Sequence, residues 1–375
     1  MEVYVDHAAT TPLDPQCLEA MLPFYREDFY NPSSLYRGGQ LVRGKMEENR
    51  RFLAEAWGCS PEELFFTSGG TEGDNLAVLG AFRARKGRHL IVSAIEHHAV
   101  LEAAAQLEQE GARVTYLPCG PDGRIHPDTL RAAMTPETDL VSVMWANNET
   151  GALQPVEELC AIAHEGGALF HTDAVQALGT QTIRLDRLPA DLMTVSSHKV
   201  YGPKGVGVLF VRQGVPVQPL QFGGQQERKL RGGTENPAGI AGFAQAVRLL
   251  QTQREERCRH QERLAARLLE ELDGLPQMRV NTPLGTSVPG VLNLSFAGVE
   301  SEPLLIRLGM RGISASMGAA CNSKTVEPSY VLQEMKVPPE YIRGSVRISI
   351  GKDNREEEIV YLAQQLREAV NRLRR

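Results

Sequence analysis

Ser196-Ser197-His198-Lys199-Val200-Tyr201-Gly202-Pro203-Lys204-Gly205 is the stretch from which the rest of the chain is best read. It follows Leu192-Met193-Thr194-Val195, an apolar run of strand length, and precedes a second such run, Gly207-Val208-Leu209-Phe210-Val211. A lysine directly after a buried strand, beside a histidine and ahead of a Gly-Pro turn, is placed where its amine can be held out of bulk water. Such an amine condenses with aldehydes to give a Schiff base. On its own, a loop lysine before a turn reads first as a solvated surface residue. The flanking sequence decides between the two.

Upstream, strands and helices alternate. Strands are expected at 64–66, 89–93, 113–117, 140–144 and 168–172, the last ending at Asp173. Helices are expected between them at 99–110, 127–133 and 156–163. This alternation predicts an α/β fold with a largely parallel sheet covered on both faces. Before it, residues 1–12 read as irregular, 15–29 as a first helix, and Ser34 as the cap of a helix over 35–57. Downstream of Gly223-Gly224 and Gly232-Gly233 the texture changes. A long helix is expected over 238–272, with Arg254, Glu255, Glu256, Arg257 and Arg259 as a solvated stretch of it. Strands follow at 288–296 and 345–350, with a helix at 302–308. The final helix carries Ile359, Leu362, Leu366, Val370 and Leu373 on one stripe. The expected division is a large domain over 13–255 and a smaller α+β domain over 256–375 that also takes in residues 1–12.

The 375 residues are 42% hydrophobic and 23% charged, with a net charge of −6. That balance supplies neither the basic footprint of a nucleic-acid binder nor an apolar run that spans a bilayer. Met1 to Asp6 show no basic and then apolar leader, so a cytoplasmic location is expected. Six cysteines without a CxxC pair argue against a disulfide framework and a structural metal site.

The polar residues at successive strand ends reverse the bland reading of Lys199. Thr67-Ser68-Gly69-Gly70-Thr71 joins a strand to a helix and offers backbone N–H groups to a phosphate; a simple Gly-Gly helix cap is the rival reading. His97, in Glu96-His97-His98, can stack on a ring and exchange protons, with metal ligation as the rival. Asn148, in Asn147-Asn148-Glu149-Thr150-Gly151, offers a neutral amide. Asp173 can hold a pyridine nitrogen protonated or cap the next helix, and Gln176 lies one turn on. With Lys199 these polar groups follow five strands, in the positions where open α/β sheets bind ligands. Pyridoxal phosphate, an aldehyde that carries a pyridine and a phosphate, suits the set.

TSGGTEGDN (67–75), EHHAV (96–100), NNETG (147–151), HTDAVQ (171–176), SSHKVYGPKGVG (196–207) and RGGTEN (231–236) resemble, in order, the cysteine desulfurases of the NifS/IscS type. These are class V aminotransferase-group enzymes of fold-type I. The resemblance runs from DHAATTP (6–12) to SVRISIG (345–351). It implies a seven-stranded, mostly parallel sheet in the large domain, with pyridoxal phosphate carried by Lys199 and not by Lys204. It implies phosphate contacts from Gly70, Thr71, Ser196 and His198, ring contacts from His97, Asn148, Asp173 and Gln176, and substrate contacts from Asn148 and Arg347. Thr234 matches a residue that reaches the neighbouring subunit's cofactor, which implies a homodimer. Cys321, in a run of small residues over 314–324, matches the thiol that takes sulfur from L-cysteine as a persulfide and leaves L-alanine. The implied recipient is a sulfur-acceptor protein, either an Fe–S scaffold or a tRNA-thiolation enzyme. Tyr36 and Met317 depart from the usual pattern, where His and a smaller residue stand. An aminotransferase or selenocysteine lyase of the same fold, and a cofactor-free assembly scaffold, are the competing readings.

Overall fold

The computed structural model describes residues 1–317 and 328–374. Twelve strands are found among these residues: β1 Val3–Tyr4, β2 Leu64–Thr67, β3 His89–Ser93, β4 Arg113–Leu117, β5 Thr138–Ser142, β6 Leu169–Asp173, β7 Leu192–Ser196, β8 Gly207–Val211, β9 Met278–Val280, β10 Val291–Phe296, β11 Ile313–Ser314 and β12 Ser345–Ser349. Seven of them form one sheet in the order β2-β8-β7-β6-β5-β3-β4. Only β8 runs against its neighbours. The central strands β3, β7 and β8 are buried at every position, because helices cover both faces. That is why they read as continuous apolar runs. All strands except β8 deliver their C-terminal ends to one edge, and the chain's polar motifs sit there.

The helix Pro237–Leu272 links two apolar cores. Ile240, Phe243, Val247 and Leu250 pack with Trp57, Phe210 and Val195 beneath the large sheet. Leu264, Leu268 and Leu272 pack with Leu294, Ile348, Leu362 and Leu366 behind the antiparallel sheet β12-β10-β9. The N-terminus is not irregular: β1 pairs in parallel with β11, and Val3 and Val5 are buried in the second core.

Local chemistry accounts for the other departures. The first helix breaks into Pro15–Met21 and Pro23–Arg26, because Pro23 has no N–H to continue the ladder and starts a new helix instead. The next helix begins at Arg37, since Ser34 is spent in a turn in which its N–H donates to Asn31 O at 3.0 Å. β5 lies two residues earlier than expected. β10 starts only at Val291, because the Val288 N–H turns away to Gly151 O at 2.8 Å. Arg257 is buried, not solvated: its guanidinium lies 5.3 Å from the Tyr201 ring centroid, which comes from the loop after Lys199.

Candidate active site

A cavity of 490 Å³ opens at the strand-end edge, and Lys199, Asp173, His97 and Arg347 all line it. Lys199 sits in a single helical turn, Ser197–Lys199, that directly follows β7. Its Nζ donates to Ala8 O at 2.6 Å and Ala9 O at 2.8 Å. Burial pushes the amine down to about 8 and the nearby Arg347 charge acts the same way, partly offset by Asp173 and Asp6. A substantial fraction of the amine is therefore neutral near physiological pH.

Asp173 ends β6 with its side chain facing the same space. Its Oδ1 accepts the Val175 N–H at 2.8 Å, so the carboxylate caps a turn and lines the cavity at once. Burial raises it to about 6, against that hydrogen bond and the charge of Lys199. His97 caps the helix His98–Gln109, and its Nδ1 accepts the Ala99 N–H at 3.1 Å. The proton of the neutral ring then sits on Nε2. Burial, followed by the charge on Lys199, pushes this imidazole down to about 4, so it is neutral at pH 7.

The glycine loop of the expected phosphate site opens the helix Gly70–Asn75. Ser196, the last residue of β7, has a buried Oγ with no hydrogen-bond partner beside that loop. β8 approaches so closely that a Cβ on Gly207 would lie 2.9 Å from Gly69 Cα, which only glycine permits. His198 Nδ1 is 3.1 Å from Thr10 Oγ1, and burial pushes its ring down to about 4. Gln176 Nε2 donates to Ala8 O at 2.9 Å. Arg347 reaches in from β12: Nη1 donates to Asn148 O at 2.8 Å, Nη2 to Asp6 Oδ1 at 2.7 Å, and Nε is buried without a partner.

Ten of the twelve expected site residues thus line one cavity: Gly70, Thr71, His97, Asn148, Asp173, Gln176, Ser196, His198, Lys199 and Arg347. Thr234 does not. It is exposed and lines a separate hollow with Ser68 and Arg231. Cys321 lies outside the described residues. The other five cysteines are free, and burial raises their thiols, to about 12 for Cys17, Cys59 and Cys160 and about 11 for Cys119. Among the described residues no three His, Cys, Asp or Glu side chains group as metal ligands.

Sequence reasoning missed several members of the wall. Ala8 and Ala9 come from the N-terminal segment, as does Asp6, which pairs with the lining residue Arg347, and the DHAATTP motif was the available signal. Glu149 is buried in the NNETG motif, and its Oε2 accepts from Ser329 Oγ at 2.5 Å. Tyr330 lines the cavity and donates its hydroxyl to Glu96 O at 2.5 Å. Asp74, inside TEGDN, is also in the wall.

The class V aminotransferase family model matches residues 3–362. The cysteine desulfurase IscS of Methanosarcina thermophila is 45% identical, over 99% of this chain and 93% of that protein. Among solved structures, a NifS-like protein superposes with a TM-score of 0.93 at 37% identity, covering 99% of this chain and all of that one. A structure of SspA in complex with cysteine superposes with a TM-score of 0.81 at 32% identity, covering 93% and 99% of the two chains. The chain accordingly belongs to the class V aminotransferases and, within them, to the pyridoxal phosphate-dependent cysteine desulfurases of the IscS/NifS type.

Proposed function

We propose that this desulfurase works through Lys199, Asp173, His97, Arg347 and Cys321, and that it passes the sulfur of L-cysteine to an acceptor protein. The observation that carries the assignment is the joint burial of the Lys199 amine and the Asp173 carboxylate in one cavity. The residues fit pyridoxal phosphate on independent grounds. The unpartnered Ser196 Oγ beside the Gly69-Gly70 loop gives a phosphate a donor and a cradle of backbone N–H groups, and the unpartnered Asn148 Oδ1 faces the same cavity. When bound, the cofactor supplies an electron sink for the carbanion at the substrate's α-carbon.

Each residue then has one task. Asp173 holds a proton at the pyridine nitrogen. Thr71, Ser196, His198 and the Gly70 N–H hold the phosphate, and Gln176 donates to the ring oxygen. Neutral His97 would face the ring from the cavity wall and exchange a proton through Nε2. Arg347 holds the substrate carboxylate by a charge-assisted pair, and Asn148 adds an amide. The Lys199 amine, with its depressed proton affinity, removes the α-proton and returns it. The Cys321 thiolate forms an S–S bond to the substrate sulfur as the C–S bond breaks; the pair from that bond stays with the substrate carbon skeleton, and the β-carbon takes up one proton. This leaves a persulfide on the enzyme and L-alanine as product.

Thr234, exposed and away from its own cavity, supports a homodimer in which it serves the partner's site. The exposed Tyr25, Phe29, Leu35 and Phe222 are apolar surface for such a contact. The separate cores meeting within Pro237–Leu272 support a division near residue 255. The free state of the five described cysteines suits a reducing compartment such as the cytoplasm. An Fe–S scaffold or a tRNA-thiolation enzyme is the recipient we propose for the sulfur. Cys321→Ser tests the sulfur step. It should bind the cofactor and exchange the α-proton of cysteine with solvent, yet release neither alanine nor sulfide. Alanine formation near the wild-type rate overturns the assignment.

A further inference from the structure

Behind the Asp173 carboxylate lies a group that none of the tasks above uses. Asp74, from the helix Gly70–Asn75, is 1% exposed and lines the same cavity wall as Asp173. Two further acids are buried around it: Asp173 on β6, and Glu96 in the loop after β3 at 0% exposure. The remaining polar neighbours are neutral. Thr194 on β7 hydrogen-bonds to Asp74. His171 on β6 has Nε2 3.7 Å from Asp74 Oδ1, but that nitrogen is engaged with Thr194 Oγ1 at 3.1 Å and Nδ1 with Ser142 Oγ at 2.8 Å. Burial keeps the His171 ring uncharged, well below its ordinary value. Among the described residues no arginine or lysine hydrogen-bonds to Asp74, Glu96 or Asp173, and the charge of Lys199 acts on Asp173. Asp74 Oδ1 has no hydrogen-bond partner among the described residues. A carboxylate anion in this position would be desolvated, short of donors and next to other carboxylates, and buried acids so placed keep their protons. Burial first, then the charges of Asp173 and Glu96, raise Asp74 well above the usual carboxylate range.

We propose that Asp74 is a positioning residue that stands protonated at neutral pH, so that Asp173 is the member of the pair that carries the negative charge facing the cofactor's pyridine nitrogen. The neutral carboxyl acts as a hydrogen-bond donor and supports the charge on Asp173 without competing with it. A second anion there would raise the proton affinity of Asp173 and pull the shared proton off the pyridine nitrogen. The proposal rests on the reading of Asp173 as the pyridine partner, and its test separates the two.

Infrared difference spectra of the cofactor-free protein at neutral pH, wild type against Asp74→Asn, should show the loss of a protonated-carboxyl carbonyl band. Glu96→Gln should remove a different component. An unchanged band in Asp74→Asn means that Asp74 is ionised, and overturns the proposal whatever Asp173 does. Pyridoxal phosphate titrations supply the second readout. Asn keeps a neutral donor of the same shape, so Asp74→Asn should hold the dissociation constant within about threefold of wild type. Asp74→Leu should weaken it about tenfold, the loss expected for one buried hydrogen bond to a charged group. If Asn weakens binding as much as Leu, a charge was required and the proposal fails. Failure of the underlying reading looks different: Asp173→Asn would then leave cofactor affinity and its visible spectrum unchanged, while the infrared result for Asp74 stands.

Discussion

Lys199 and Lys204 are five residues apart in one glycine-rich segment, and burial tells them apart. Lys199 is held by two carbonyls from the chain's N-terminus, while Lys204 is exposed beyond the turn. Lys199→Ala should lower kcat by about 10³-fold or more, the scale of a lost proton-transfer group. Lys204→Ala should keep the cofactor's visible absorbance and most of the turnover, and the opposite pattern would reverse the assignment. Glu96 gives a residue-scale test in stability. Its carboxyl is fully buried and its proton is retained up to about 8, chiefly through burial. The unfolded chain releases that proton near the ordinary carboxylate value, so between the two the folded state binds one proton more. Stability conferred by the protonated form is therefore lost as pH rises toward 8. His97, His171 and His198 work the other way, but only below about 6.5, their unfolded value. Glu149, raised to about 7, adds to the loss. The melting temperature of the cofactor-free protein should thus fall between about pH 6.5 and 8. Glu96→Gln should flatten that slope, because a Gln Oε1 still accepts from Ser93 Oγ and the Met144 N–H. An equally steep fall in the variant would show that Glu96 is not the group responsible.

At the scale of elements, the sheet edge that carries the glycine loop depends on one ion pair. Arg50, from the helix Arg37–Trp57, donates through Nη1 and Nη2 to Glu227 at 2.9 and 2.8 Å, and through Nη1 to Leu64 O at 2.7 Å. Glu227 Oε2 also accepts the Phe66 N–H at 2.8 Å, so β2 is pinned on its open side. Both side chains are almost wholly buried. Glu227→Ala would leave the buried guanidinium with only the partly exposed Glu47 as counter-charge, at 3.1 Å from Nε, and the Phe66 amide without its acceptor, at a cost of about 3 kcal/mol, measurable as a shift in the urea midpoint. A shift under about 1 kcal/mol would mean that water replaces the carboxylate at a surface-like site. The elements bearing the motifs were legible in the sequence because each is an apolar strand that stops at a polar cluster, and period and punctuation are both local signals. The Arg50–Glu227 pair, the Asp6–Arg347 pair and the burial of Arg257 under Tyr201 were not. Each joins positions far apart in sequence through a side chain whose type argues for the surface. Pro23 was a local signal passed over, inside a run otherwise apolar enough for a single helix.

At the scale of the whole molecule, ten of the twelve expected site residues meet within one chain, and the exception among the described residues, Thr234, points outward. If Thr234 serves the partner's cofactor, mixing Lys199→Ala chains with Thr234→Ala chains should restore activity that neither homodimer has. One site of the heterodimer carries both defects and the other carries none. Sedimentation of the wild type as a monomer at micromolar concentration, or no recovery on mixing, would remove the composite site.

The pairing of β1 with β11 has a consequence for the order in which the protein is made. Val3 and Tyr4 leave the ribosome some three hundred residues ahead of their partners Ile313 and Ser314, and Asp6 bridges to Ser349 later still. Through most of translation Val3 and Tyr4 have no strand to pair with, while the residues after them can already dock on the large domain, where the Thr11 N–H donates to His198 O at 3.0 Å and Gln176 Nε2 to Ala8 O at 2.9 Å. The large sheet can therefore form before β11 and β12 are made, while Arg347 is still missing from the cavity. The pocket closes only when the last strand returns to the first, so a ribosome-stalled chain ending before β12 would be folded in its larger half and still lack a finished place for the cofactor.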